Sequence, residues 1–247
     1  MKIGKFDEYN SIIRDLSDKN ILATNAFIHN SVYALENNVW DKYISPDFLD
    51  TLIKVSERAS KFYKEYNDRL RFLDAFIETS IQSMKAGKFN EYKNAVLDLL
   101  NKHTFVASIF MNNLNLALES NVSSTYFSKN FLDTLIKVYE IISKIYKEYD
   151  DRRNFLDSFI RTSIEFMKIG KFDEYKNVLF HLLNNSVLVT SVFINKSISA
   201  LKNNVLNIYL SKNFLDTLIR LYNRILGIYE YRYELENFVN NFIETSI

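Results

Sequence analysis

Apolar residues recur along this chain at spacings of three and four, which is the pattern of amphipathic α-helices. Only four glycines and one proline interrupt the pattern, so it predicts an all-α fold. The first copy of the pattern contains four apolar stripes, which we name helices A, B, C and D. Their apolar residues are Phe6, Tyr9, Ile12, Ile13 and Leu16 in A; Leu22, Ala23, Ala26, Phe27, Ala34 and Leu35 in B; Phe48, Leu49, Leu52, Ile53, Ala59, Phe62 and Tyr63 in C; and Leu70, Leu73, Phe76, Ile77 and Met84 in D.

The stripes of C and D share one phase, so the two helices could also be one long helix. Asn67 and Asp68, or Asp150 and Asp151 further along, have side chains that can cap a new helix. A continuous helix of about 40 residues is rare in compact domains. The sequence therefore predicts a break between C and D, which we call the C–D joint.

Helix ends are also marked in the sequence. Ser45, Ser128 and Ser211 each precede a C helix, where a hydroxyl can accept a hydrogen bond from a free backbone N–H. Gly87 and Gly170 follow the D helices, where a residue without Cβ suits a left-handed turn.

The whole pattern occurs three times, with a period of 83 residues. The segment from Met1 to Tyr9 returns at Met84 to Tyr92 and again at Met167 to Tyr175. Long fixed periods are typical of repeat architectures. The sequence predicts three helical repeats at residues 1–83, 84–166 and 167–247, with four helices in each.

One short segment of each copy resembles a known family. Met167 to Tyr175, with its glycine, aromatic residues and acids, resembles the turn between the two antiparallel helices of a tetratricopeptide repeat. The resemblance implies that helix D of one copy forms a hairpin with helix A of the next. It does not extend to a ligand groove, because Tyr175 stands where that family has a small alanine.

Three arrangements of the repeats are compatible with this pattern. We predict an open α-solenoid; the alternatives are a closed three-repeat ring or three small helical bundles. Helix A of the first copy and helix D of the third form complementary ends. These ends would pair within a ring, or between chains in a head-to-tail oligomer.

Composition narrows the classes of function. The 31 basic residues nearly balance 30 acidic ones, giving a net charge of +1, which argues against a dedicated duplex-DNA binder. The chain has no cysteine, which excludes disulfides, thiolate metal sites and cysteine nucleophiles. The N-terminal residues lack the apolar core of a signal peptide, and no apolar stretch reaches membrane-spanning length. We therefore expect a cytoplasmic protein without a membrane partner.

No catalytic or metal-binding pattern recurs with the repeat. His29, His103 and His181 lie at three different repeat positions, so they do not form a repeated ligand set. The sequence contains no P-loop, no HExxH and no glycine-rich phosphate cradle. We expect no cofactor, no metal ion and no enzymatic activity.

The C–D joints combine tyrosine and arginine, residue types that are favoured in protein interfaces. This composition predicts a non-enzymatic scaffold that binds a protein or peptide; the alternative is a single-stranded RNA-binding protein whose tyrosines stack on bases. Head-to-tail self-association is a further expectation. The candidate partner-binding residues are Tyr63, Tyr66, Arg69, Arg71, Tyr146, Tyr149, Arg152, Arg153, Tyr229, Tyr231 and Arg232.

Overall fold

The computed structural model describes residues 3–229 and 231–246. Within these residues the regular secondary structure consists of sixteen α-helices, with no strand, which confirms the all-α prediction. No helix in this part of the chain is both long enough and apolar enough to cross a membrane.

The sixteen helices follow one another with short connections. Their bounds are α1 Ile3–Lys19, α2 Ile21–Glu36, α3 Trp40–Tyr43, α4 Pro46–Phe62, α5 Tyr66–Lys85, α6 Phe89–Lys102, α7 Thr104–Asn112, α8 Leu114–Glu119, α9 Ser123–Tyr126, α10 Lys129–Ile145, α11 Tyr149–Lys168, α12 Phe172–Leu183, α13 Val187–Lys202, α14 Leu206–Tyr209, α15 Lys212–Ile225 and α16 Arg232–Ser246.

More helices form than the four per copy that the periodicity predicts. A four-residue helix (α3, α9 or α14) lies between helices B and C of each copy. Helix B of the second copy is also divided into α7 and α8 at Asn113. The Asn113 side-chain amide donates to the carbonyl of Ile109 at 3.0 Å, so the side chain competes locally with the helical hydrogen bonds.

The break between C and D is confirmed. Helix α4 ends at Phe62 and α5 begins at Tyr66; α10 ends at Ile145 and α11 begins at Tyr149. Tyr63 has an extended backbone, with φ −91° and ψ 131°, which cannot continue an α-helix.

The predicted caps of the C helices are also present. The Oγ atoms of Ser45, Ser128 and Ser211 accept the backbone N–H three residues later, at 3.3 Å in every copy. Gly87 and Gly170 have φ values of 71° and 70°, so both end a D helix in the left-handed conformation, as expected.

Helix B ends in a way that the sequence analysis missed. Asn38, Asn121 and Asn204 have φ values of 56°, 56° and 58° and are one period apart. Asparagine tolerates this conformation better than most other non-glycine residues. The N–H of the following residue returns to helix B in two copies, from Val39 to Ala34 and from Val205 to Ala200, both at 3.2 Å. The asparagine turn thus sets the direction in which the short helix leaves helix B.

A buried tyrosine on each short helix ties that helix to helix B. Each hydroxyl donates to a helix-B carbonyl at 2.6 Å, and each ring stacks on the phenylalanine that carries this carbonyl, with centroids 4.3–4.6 Å apart. The pairs are Tyr43 with Phe27, Tyr126 with Phe110 and Tyr209 with Phe193.

Aromatic contacts continue from these tyrosines into helices C and D. In the first copy Tyr43 contacts Phe48 of α4 at 5.0 Å, and Phe48 contacts Phe76 of α5 at 6.3 Å. Phe76 then stacks on Tyr92 of α6, with centroids 6.1 Å apart. We call this series from helix B through the short helix, C and D to the next helix A the aromatic relay.

The chain forms two compact units, and each is described by itself. The first unit comprises Met1–Glu119 and Ser123–Leu132. In this unit α5 packs on α2 and α4 of its own copy and on α6, α7 and α8 of the next. The turn at Gly87 joins α5 to α6, which confirms the expected D–A hairpin.

The second unit comprises Ser120–Val122 and Asp133–Ile247. In this unit α11 packs on α12 and α13, and α16 packs on α13 and α15. The sequence boundaries after residues 83 and 166 fall in the last turns of α5 and α11, inside the two units. The two compact units therefore do not coincide with the three predicted repeats, and the division into three repeats stays a prediction.

Replacing Tyr209 by phenylalanine should lower the free energy of unfolding by about 1 kcal/mol. The variant loses the hydrogen bond to the Phe193 carbonyl, but Ser197 Oγ also donates to this carbonyl at 2.8 Å and keeps it satisfied. Urea denaturation measures the change, and Tyr231→Phe, at an exposed site, is the control. A loss no larger than that of the control would contradict a stabilising role for the bond.

The buried tyrosines should also make the fold sensitive to alkali. Burial raises the pKa of Tyr43, Tyr92, Tyr175 and Tyr209 above the ordinary value of about 10. Their contribution is complete below pH ~10 and is lost above it, because only the unfolded chain then releases these protons, at about 1.4 kcal/mol per pH unit and tyrosine. Unfolding free energies measured across this range should fall steeply, and less steeply in Tyr209→Phe. A flat profile would show that these rings ionise freely.

Candidate functional site

The joint of the first copy is closed by an arginine. Arg69 Nε donates to the carbonyl of Tyr63 at 2.7 Å, and Arg69 Nη2 donates to the carbonyl of Lys64 at 2.8 Å. Both carbonyls lie in the break between α4 and α5, where no helical N–H is available to them. This predicted binding residue therefore bonds to its own joint.

The other predicted residues of the first joint are more accessible. Tyr66 is exposed and its hydroxyl accepts a hydrogen bond from Asn25 Nδ2 at 2.7 Å. Arg71 is exposed and lies 3.8 Å from Asp68. Tyr63 is half-buried and packs its ring on Phe72 of α5.

In the second unit the structure brings the joints of the second and third copies together. The guanidinium carbon of Arg232 lies 5.1 Å from the ring centroid of Tyr146, and Arg232 Nη2 donates to the Tyr146 hydroxyl at 3.3 Å. Arg232 Nε also donates to Glu236 at 2.8 Å. As a result, Tyr146 is only 6% exposed and both side chains are occupied.

The remaining predicted residues of these two joints differ in exposure. Tyr149, Arg153 and Tyr231 are exposed, whereas Arg152 and Tyr229 are half-buried. Tyr231 stacks on the exposed Tyr233, with centroids 5.8 Å apart. Tyr233 has no tyrosine at the matching position of the other copies, so comparing the copies did not select it.

A small cleft opens beside the Tyr146–Arg232 contact, with a volume of about 120 Å³. We call it the joint cleft. It lies between α11, α13 and the first residue of α16. Its lining is mostly polar and consists of Tyr146, Asp151, Asn154, Phe155, Ser158, Ser191, Ile194, Asn195 and Arg232.

Most of the polar lining was missed by sequence reasoning. Asn154 and Ser158 lie on α11, whereas Ser191 and Asn195 lie on α13. The signal was weak because these residues come from different helices and Asn154 is replaced by Arg71 in the first copy. Only the packing of α11 on α13 brings them together.

Among the described residues, the charged groups of the joint cleft are largely paired, with the exception of Asp151. Burial raises the pKa of the Tyr146 hydroxyl, and the neighbouring Arg232 charge offsets part of this rise. Arg232 is itself paired with Glu236. Asp151 is exposed and has no ion pair within the described residues, so it leaves a negative charge at the rim.

The size of the joint cleft limits what it can bind. Sites for drug-sized ligands and cofactors typically measure about 300–1,000 Å³. At about 120 Å³ the joint cleft accommodates one side chain or a few backbone atoms of a longer ligand. The geometry suits part of an extended polymer better than a whole small molecule.

Two larger grooves, of about 500 Å³ and 400 Å³, lie in the first unit. Acidic residues on their walls are already paired: Asp47 with Lys93 at 2.7 Å and Glu91 with Lys88 at 3.2 Å. These acidic side chains are therefore less available to a ligand than Asp151 of the joint cleft, which is unpaired in the described part of the chain.

The histidines occupy separate surroundings. His29 Nδ1 lies 3.2 Å from Asp74, and His181 Nε2 lies 3.8 Å from Asp216. Among the described residues, no group of three or more histidine, aspartate or glutamate side chains could hold a metal ion.

Comparisons with models of known protein families, with curated proteins and with solved structures find no match to this chain. The likeness to a tetratricopeptide turn thus has no support from a family match.

Replacing Arg69 by lysine should loosen the first joint. Lysine cannot donate to the carbonyls of both Tyr63 and Lys64 from one planar group, as the guanidinium does. We expect faster amide hydrogen exchange at the start of α5, corresponding to a local loss of about 1 kcal/mol.

The matched control is Arg71→Lys, because Arg71 is exposed and makes only a long contact with Asp68. Unchanged exchange in Arg69→Lys would show that the two carbonyl bonds do not hold the joint. Arg69 would then return to the set of residues available to a partner.

Proposed function

We propose that this protein is a non-enzymatic scaffold in which three helical repeats form an α-solenoid and bind an extended peptide segment of a partner protein. The observation that carries the proposal is the joint cleft, where uncommitted amide groups from two helices line one small polar space. The proposal concerns the second unit, where the cleft is formed entirely by residues of that unit.

Asn154 and Asn195 supply the recognition chemistry. Within the described residues neither side-chain amide is occupied by a hydrogen bond, and both side chains are exposed. A carboxamide offers donors and an acceptor together, which matches the N–H and C=O groups of an extended peptide backbone. Asparagines on neighbouring helices can therefore hold a peptide without reading its side chains.

Asp151 gives the peptide site a preference for a basic side chain. Its exposed carboxylate has no cationic partner in the described part of the chain, whereas Arg232 is already neutralised by Glu236. A lysine or arginine side chain of the bound peptide would place its charge beside Asp151. The proposed ligand is thus an extended segment with a basic residue.

Exposed tyrosines extend the surface around the cleft. Tyr149 and Tyr231 are 45% and 58% exposed. Tyrosine offers an apolar ring and a polar tip at low entropic cost, and it is enriched where interfaces derive most of their energy. These two rings are the candidates for apolar contact with the partner.

Single-stranded RNA is less well supported as a partner. Tyr146 cannot stack on a base, because its ring is buried and covered by Arg232. Arg69 and Arg232 are bonded to protein acceptors, which leaves fewer cations for phosphates. A net charge of +1 also provides little general attraction for a polyanion.

The test is selection of displayed random peptides on the immobilised full chain, followed by affinity measurement with the enriched sequences. We expect enrichment of lysine and arginine and a loss of affinity of roughly tenfold or more in Asn154→Ala/Asn195→Ala, because the hydrogen bonds of two side chains to the peptide backbone are lost. Asn112→Ala is the matched control, since Asn112 occupies the position of Asn195 in the second copy and is exposed.

Equal affinity of the double variant and the control would contradict the assignment of the cleft. Binding of labelled single-stranded RNA, measured over a series of salt concentrations, distinguishes the RNA-binding alternative from the peptide-binding function. Tight RNA binding that weakens steeply as salt rises would favour the RNA function over the peptide function.

A further inference from the structure

Helix B has a face that is covered by helix D of the preceding copy. In the second unit Thr162 Oγ1 of α11 donates to the Ile194 carbonyl of α13 at 3.4 Å, and Ile194 is 1% exposed. In the first unit α5 packs on α7 in the same way, and Met111, at the position of Ile194, is also 1% exposed. Burial of this position thus accompanies a D helix in both copies.

The same face is open in the first copy. Ile28 stands at the position of Met111 and Ile194 but is 42% exposed. Ile21, seven residues before, shares its helix face and is 63% exposed, whereas Val187, at its position in the third copy, is 5% exposed. We call Ile21 and Ile28 the α2 strip.

Helix α1 shows the same difference beside the α2 strip. Phe6 is 54% exposed, whereas Phe172, at the matching position of the third copy, is 5% exposed. Tyr9 is half-buried, whereas Tyr92 and Tyr175 are completely buried. The A–B surface of the first copy therefore has the residue types of a D-helix binding site but remains accessible.

Helix α16 has the complementary surface. Thr245 is exposed, whereas Thr79 and Thr162, at its position on the other two D helices, are buried. Phe242 and Ser246 are half-buried, whereas their counterparts are completely buried: Phe76 and Phe159 for the first, Ser80 and Ser163 for the second. We call Phe242, Thr245 and Ser246 the α16 face.

The two D–A contacts within the chain show how such surfaces fit. Phe76 stacks on Tyr92 at 6.1 Å, and Phe159 stacks on Tyr175 at 6.3 Å, with interplanar angles of 22° and 15°. Thr79 Oγ1 also lies 2.5 Å from the Tyr92 hydroxyl. Phe242 and Thr245 of α16 stand at the positions of Phe76 and Thr79, and Tyr9 of α1 stands at the position of Tyr92.

We propose that two copies of this chain associate head to tail, with the α16 face of one copy on the α2 strip and α1 of the other. Phe242 then stacks on Tyr9 of the second copy and extends the aromatic relay between chains. The occupant is a second copy, rather than any amphipathic helix, because both covered examples of this surface carry a D helix of the same repeat.

The interface joins two different surfaces, so each copy keeps one open end and further copies can add. It lies apart from the joint cleft and does not depend on the proposed peptide binding. The charged and polar rim of α16 stays outside the contact, since Asn237 matches Arg71 and Asn154, which are exposed in the covered D helices.

Analytical ultracentrifugation of the full chain over a concentration series tests the proposal with one variant for each surface. Ile28→Asp places a charge in the α2 strip, and Thr245→Arg places a bulky cation in the α16 face. Both positions are exposed in the single chain, so thermal unfolding should be unchanged. Ile21→Asp is a second variant of the strip in case Ile28→Asp unfolds, because Val187 at the matching position is 5% exposed.

We expect the average mass of the unmodified chain to rise with concentration and each variant alone to stay at the mass of one chain. A mixture of Ile28→Asp and Thr245→Arg should form dimers and nothing larger, because one intact α16 face meets one intact α2 strip. The matched controls are His29→Asn and Asn237→Arg, which install residues that other copies carry at exposed positions. They should associate like the unmodified chain.

Three results would overturn the proposal. The first is a single-chain mass of the unmodified protein up to its solubility limit, as closure within one chain would also give. The second is concentration-dependent association of Ile28→Asp, Ile21→Asp or Thr245→Arg equal to that of the controls. The third is a mixture of the two blocked variants that remains entirely single-chain.

Discussion

A tyrosine hydroxyl bonded to a helix carbonyl is the contact on which the packing of each copy depends. Burying a hydroxyl without a partner costs free energy, so an acceptor within reach favours the burial of Tyr43, Tyr126 and Tyr209. Each finds a carbonyl of helix B at 2.6 Å. This fixes the short helix against helix B and thereby places the start of helix C.

The ring of the same tyrosine also contacts helix C, and helix C in turn contacts helix D. Tyr209 contacts Phe214 of α15 at 5.4 Å, and Phe214 stacks on Phe242 of α16 at 5.9 Å. Helix D is thus positioned by its packing on helix C. Its other side provides the surface on which helices A and B of the next copy pack. Both the joint cleft and the proposed head-to-tail contact are consequences of where helix D lies.

Local features of this fold were predictable from the sequence. The apolar spacing defines the long helices, and Ser45 and Gly87 mark ends that depend only on nearby backbone. The four-residue helices were missed because one turn is too short to show a period. Asn38 and Tyr43 did carry a signal, since both recur one period later, but neither belongs to an apolar helical stripe.

The candidate site was less predictable, because it depends on contacts between helices distant in sequence. Residue type alone selected Arg69 and Tyr146, but the structure bonds Arg69 to its own joint and buries Tyr146 under Arg232. Asn154 and Asn195 were missed because their shared cleft exists only where α11 packs on α13. The exposed Tyr149 and Tyr231 remain predictions as partner-binding residues.

We predict that one period of 83 residues is an interchangeable packing unit. The most direct test is to delete residues 84–166 and to monitor the urea-induced unfolding of the shortened chain by circular dichroism. Phe76 and Thr79 would then meet Tyr175 in place of Tyr92, an identical side chain at the matching position. We predict the same helical signal per residue and a cooperative transition. A shortened chain with low helicity, or one that unfolds gradually, would contradict the claim.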